Sequence, residues 1–170
     1  MNHYHLKIIP VIVILILIGF SPYRVDANSR KILSLGQTVY VPVYSHIYHG
    51  NQAKKFDLTS TLSIRNTNLN KEIMLYSINY YDSEGELLRE YLETPIVLKK
   101  LSTVRYVIKA KDRRRYGNDA NEKHGGSGAK FIVRWKSKTV SNAPIIEAIM
   151  ISTQSQQGIS FVSRGQTIIE

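Results

Sequence analysis

From Gly125 to Trp135 the chain reads Gly-Gly-Ser-Gly-Ala-Lys-Phe-Ile-Val-Arg-Trp, and no other stretch constrains the fold as strongly. Phe131, Val133 and Trp135 fall on one side of a period of two, with Lys130, Ile132, Arg134 and Lys136 on the other. That alternation is a β-strand with one buried side. It carries the only tryptophan of the 170 residues, so it is expected to supply the central wall of a core. The glycines ahead of it allow φ > 0 or a close approach to another group.

The same period recurs along the chain. Val39, Val41 and Val43 alternate with Tyr40, Pro42 and Tyr44 inside a strand region spanning 37–48. Pro42 has no N–H for a ladder, which predicts an edge strand or a bulge there. Phe56, Leu58, Ser60, Leu62 and Ile64 alternate with polar residues as a half-buried strand, and 66–71 is an Asn-rich turn. Ile73–Tyr81 is apolar on both faces, as in a mid-sheet strand. Asp82-Ser83-Glu84-Gly85 is a hairpin turn with glycine where φ > 0 is needed. Strands at 86–92, at Ile96–Leu98 and around Val104, Tyr106 and Ile108 follow. After a turn at Ser141-Asn142-Ala143-Pro144, Ile145–Ser152 and 158–163 complete the set. No segment sustains i, i+3, i+4 periodicity. Seven or eight short strands with turns every 8–12 residues predict an all-β fold, an antiparallel immunoglobulin-like β-sandwich.

The N-terminal residues stand apart. Residues 1–7 are mildly basic, the thirteen residues 8–20 carry no charge, and Pro22 ends the run. A membrane helix needs roughly 20 apolar residues, whereas Val25-Asp26-Ala27 places small residues where a signal peptidase cuts. The pattern predicts a signal peptide over 1–27, a lead-in over 28–36 and one β-sandwich domain over 37–170. An uncleaved N-terminal anchor is the alternative, because the two differ mainly in run length and cleavage site. Export places the domain in the periplasm or outside the cell. Loss of 1–27 lowers the formal charge only from +10 to +9, so the domain stays strongly basic. Anionic lipid headgroups, acidic glycans, wall polymers or a protein are then more accessible partners than nucleic acid. The chain has no cysteine, and a domain of this size can bury a core without disulfides.

Several stretches together carry a family likeness. They are Gln37-Thr38-Val39-Tyr40-Val41-Pro42-Val43-Tyr44-Ser45, Tyr80-Tyr81-Asp82-Ser83, Gly125-Gly126-Ser127-Gly128-Ala129 and Ile146-Glu147-Ala148-Ile149-Met150-Ile151. Gln157-Gly158-Ile159-Ser160-Phe161 and Ser163-Arg164-Gly165 add to it. With these the mature chain resembles the exported prokaryotic family known as domain of unknown function thirty-one twenty-four. The resemblance implies an exported microbial protein and supplies no activity, cofactor or catalytic residue.

The residues that could carry chemistry argue for binding over catalysis. Gly125-Gly126-Ser127-Gly128-Ala129 nearly matches the G-x-S-x-G nucleophile elbow, but that elbow needs a helix after it and a strand follows here. The same glycines, with Arg113, Arg114, Arg115 and Lys123, could form a backbone-amide nest for an anion, or serve only as a connection into the strand. The loop over 112–128 is long, which marks it as functional or mobile. His46 and His49 lie three apart and point to opposite faces of an extended segment, so metal binding has no dense ligand spacing. Glu147 interrupts an apolar run and calls for a basic partner, Arg134 or Arg65. No catalytic residue, metal or cofactor is assigned.

The remaining feature is charge. If 103–111 and 130–138 pair as a hairpin across the long loop, Arg105, Lys109, Lys111, Lys130, Arg134, Lys136 and Lys138 share one surface. Like charges opposite one another in a sheet repel, so an anionic partner would relieve such a face. The expectation is a non-catalytic exported binding or accessory module of the cell envelope, using this basic hairpin and the Gly-rich loop. The alternatives are a structural module pairing through the edge at 39–44, and third an unrecognised hydrolase or metal-binding protein.

Overall fold

A computed structural model describes residues 33–51, 54–108, 128–153 and 158–168. All of them fall within the compact unit Lys31–Glu170. The expected signal peptide at 1–27 lies outside the described residues. Strand β1 begins at Leu33, so the end of the expected lead-in is already sheet.

The fold is all-β and antiparallel, with no helix among the described residues. The described residues form twelve strands: β1 (Leu33–Val43), β2 (His46–His49), β3 (Lys54–Asp57), β4 (Thr59–Arg65), β5 (Ile73–Tyr81) and β6 (Leu87–Glu90), then β7 (Ile96–Leu98), β8 (Thr103–Val107), β9 (Ala129–Asn142), β10 (Ile145–Ser152), β11 (Ile159–Arg164) and β12 (Gln166–Ile168). One sheet has the order β12-β1-β9-β5-β6, with β7 also on β5; a second runs β11-β10-β4-β8; β2 and β3 form a separate hairpin. The count exceeds the expected seven or eight because the expected strands at 37–48 and 56–64 each divide in two, and because β12 forms beyond the expected last strand at 158–163.

Both sheets feed one apolar cluster. Val39, Val41, Leu75, Ile78, Tyr80, Phe131, Val133 and Trp135 come from the first sheet, and Leu62, Ile64, Ile146, Ala148 and Met150 from the second. The alternation that predicted β9 is realised: Phe131, Val133 and Trp135 are buried while Arg134 and Lys136 are exposed. Each such large apolar side chain withdrawn from water contributes about 1.5–3 kcal/mol. Strand β5 is interior, flanked by β9 on one side and by β6 and β7 on the other, as its two-sided apolar sequence predicted. The turn after it forms around Asp82, whose buried carboxylate accepts from the N–H groups of Glu84 (3.0 Å) and Glu86 (2.8 Å). Gly85 takes φ 90° there.

The expected hairpin between 103–111 and 130–138 does not form. Strand β8 pairs with β4 in the second sheet, whereas β9 lies between β1 and β5 in the first. Electrostatics favours this outcome. On the exposed face Lys130 stands between Pro42 and Tyr81, Arg134 between Thr38 and Ser77, and Lys136 between Gly36 and Met74. Arg105 pairs with Ser63. Every one of these cations has uncharged cross-strand neighbours, so the repulsion that a basic hairpin would incur is absent. Of the proposed edge at 39–44, β9 covers one side along Val39–Val43, and β12 covers Val39 and Tyr40 on the other side and stops there. Pro42 sits beyond the end of β12, where its missing N–H costs no ladder bond, and its carbonyl accepts from Ser163 Oγ.

The chain passes from β11 to β12, and so from one sheet to the other, at Gly165. A Cβ there would lie 2.6 Å from Val39 Cγ1 and 3.0 Å from the Ile146 carbonyl, which explains the glycine. Glu147 meets Arg65 at 3.6 Å, one of its two expected partners. Half of the arginine side chain is exposed, and such pairs contribute under about 1 kcal/mol.

Candidate functional site

The outward row of β9 is the centre of the site. Lys130, Ile132, Arg134 and Lys136 alternate with the buried row, so strand geometry alone sends them all to the outer face of the first sheet. Their surroundings differ. Lys130 is half-buried and its Nζ donates to the Asp82 carbonyl at 2.6 Å, which ties it to the β5–β6 turn. Arg134 and Lys136 are exposed at the other end of the row. Lys138 lies further on, with its Nζ 3.8 Å from Glu72.

Two irregularities shape this end of the sheet. Leu75 pairs with Trp135 and Ser77 with Arg134, so Tyr76 is an extra residue bulged from β5. Tyr76 is 42% exposed, and Lys136 Nζ sits 5.1 Å from its ring centroid, a cation–π contact. On the other flank β1 jumps from Gly36, opposite Lys136, to Ser34, opposite Ser141, leaving residues 137–140 of β9 outside the ladder. Gly36 permits the approach before the jump: a Cβ on it would lie 2.6 Å from the Trp135 carbonyl oxygen and 2.9 Å from Lys136 Cγ.

Between these features lies an open depression of about 590 Å³, with Leu35, Gln37, Thr38, Arg134, Thr167 and Ile168 in its wall and Tyr76 and Lys136 on its border with the next. That neighbour, about 180 Å³, is bounded by Tyr76, Lys136, Glu72, Met74, Val97 and Lys138. The Tyr76–Lys136 pair is thus shared by two adjoining hollows. Cations, amide and hydroxyl groups, and apolar side chains meet there within one surface. The arrangement can hold a negatively charged group and a ring or chain beside it.

The other sequence-assigned residues separate. Arg105 is exposed on β8 in the second sheet and takes no part in the β9 face. Lys109, Lys111, Arg113, Arg114, Arg115, Gly125, Gly126 and Ser127 lie outside the described residues, as do Lys123 and His124. Gly128 is described, and its N–H donates to Ser83 Oγ at 3.2 Å, which seats the start of β9 on the β5–β6 turn. His46 is buried and His49 exposed at opposite ends of β2. Among the described residues no three His, Cys, Asp or Glu side chains cluster as metal ligands. Partial burial of Tyr106, which lies on the alternate row of β8 to Arg105, pushes its phenol above the ordinary value.

Tyr76, Gln37, Thr167 and Ile168 were not singled out from sequence. A bulge inside an apolar strand leaves no mark on its alternation that single-sequence reading could find, and Thr167 joins the site only because β12 returns to β1.

A family model described as "Protein of unknown function (DUF3124)" matches residues 36–168. No curated protein matches the chain. Among solved structures, the crystal structure of Thermotoga maritima 1070 is similar with a TM-score of 0.42 at 7% identity, over 76% of this chain and 92% of that one.

Proposed function

We propose, from the premise that this chain belongs to the family described as "Protein of unknown function (DUF3124)", that it is a non-catalytic, exported binding module of the cell envelope. In this reading the two sheets form an immunoglobulin-like β-sandwich, residues 1–27 direct export, and the outer face of the first sheet contacts an anionic partner. One observation carries the proposal: Arg134 and Lys136 are exposed on one row of β9 and both border an open depression. Two exposed cations on one row raise the local positive potential, which an anionic polymer, membrane surface or acidic protein can meet.

The test is charge reversal with a matched control. Arg134→Glu with Lys136→Glu changes net charge by the same amount as Lys54→Glu with Lys55→Glu, which alters two exposed lysines of β3. On an immobilised acidic polymer at low salt, the first variant should elute with affinity reduced about tenfold or more, the effect of roughly 1.4 kcal/mol or more. The second should stay close to the parent. Equal losses in both would mean that net charge alone drives retention and would remove the proposed face.

A further inference from the structure

We infer that the two adjoining hollows take an acidic polysaccharide, a glycan whose sugar rings carry carboxylates, and that Tyr76 is the residue that distinguishes a sugar from a bare anion. The inference rests on the reading of the outer face as an anion-binding surface and names its ligand class.

Shape is the first argument. A lipid bilayer presents a plane of headgroups and is met by protruding cations and apolar side chains. Here the exposed cations border hollows of about 590 and 180 Å³ that share a wall, a form that accepts a narrow chain running across Tyr76. Chemistry is the second. A sugar ring has C–H groups above and below and hydroxyls around its edge. An exposed aromatic ring meets the C–H groups, and short polar side chains meet the hydroxyls. Tyr76 supplies the ring, and Gln37, Thr38 and Thr167 line the larger hollow. Arg134 and Lys136 are two residues apart on one strand, so their Cα atoms are about 6.7 Å apart. That separation lets both reach carboxylates on one short stretch of chain. Lys136 is held against the Tyr76 ring at 5.1 Å, so less freedom is lost when it is engaged.

The experiment measures affinity for three probes by calorimetry on the folded parent and variants: an oligogalacturonate, polyphosphate, which has charge but no rings, and vesicles of phosphatidylglycerol. The parent should prefer the oligogalacturonate. Tyr76→Ala should weaken the oligogalacturonate about three- to tenfold, the size of a lost aromatic contact, and leave polyphosphate unchanged. Tyr76→Phe should restore the parent value. Arg134→Glu with Lys136→Glu should weaken both polymers. If Tyr76→Ala affects both polymers equally or neither, or if vesicles are preferred, the sugar assignment is overturned while the anionic face stands. If the charge reversal leaves every probe unaffected, the face itself is wrong.

Discussion

Asn66→Ala should lower stability by about 3 kcal/mol, the largest loss expected from removing a single polar side chain here. Asn66 is 2% exposed. Its Nδ2 donates to the carbonyls of Lys71 (2.8 Å), Leu98 (3.2 Å) and Lys99 (3.0 Å). Its Oδ1 accepts from the backbone N–H of Asn68 (3.0 Å) and from Asn68 Nδ2 (2.8 Å). Asn68 in turn exchanges two hydrogen bonds with the Asn142 backbone, at 3.1 and 3.0 Å. The clamp therefore joins three connections, β4 to β5, β7 to β8 and β9 to β10. Each of these carries the chain from one sheet to the other.

Truncation would leave several buried carbonyls and amides without partners, each costing about 1–3 kcal/mol, with relaxation and water recovering part. For a domain of this size the loss corresponds to roughly 10 °C in Tm. Asn66→Asp is the sharper variant, since it keeps the volume and the acceptor but cannot donate to three carbonyls. Urea midpoints should fall for both. A near-neutral Asn66→Asp would show that shape, not hydrogen bonding, fixes this corner.

Gly36→Ala should have the second-largest effect, about 2–3 kcal/mol of destabilisation, within the usual range for overpacking. The added Cβ would meet the Trp135 carbonyl oxygen at 2.6 Å, and that atom belongs to the backbone of the central strand. A flexible side chain could move aside; this carbonyl cannot move without parting β1 from β9. Ser34 limits the alternatives, because its hydroxyl donates to the Gly36 carbonyl (2.6 Å) and accepts the Gly36 N–H (3.0 Å). Since Gly36 borders the larger hollow, the variant should lose affinity for the acidic polymer as well as stability. Thermal melts and polymer binding on the same sample check both, and an unchanged melt would contradict the close approach.

How much of this was legible beforehand depends on distance along the chain. The β9 alternation, the bounds of β10 and the Asp82 turn are written within a few neighbouring residues, and the structure places them where the sequence predicted. Glu147 and Arg65 were predictable as partners because an acid inside an apolar run needs a cation, though not which of two. Strand neighbours were not legible. Nothing local in Thr103–Val107 says that it pairs with β4 instead of β9, because that choice is made by which buried faces fit across the core. The Asn66–Asn68 clamp read as an ordinary Asn-rich turn, since a turn signal and a buried polar hub use the same residue. Tyr76 went unnoticed for a related reason: an aromatic in an apolar strand looks like core until the bulge that turns it outward is seen.

The most direct test of the binding face is residue-resolved amide chemical-shift mapping as an oligogalacturonate is titrated into the folded protein. Shifts centred on Thr38, Tyr76, Lys136 and Thr167, with Arg105 and the β2–β3 hairpin undisturbed, are the predicted result. Shifts centred on Arg105 or on β2–β3, with the β9 face silent, would contradict it.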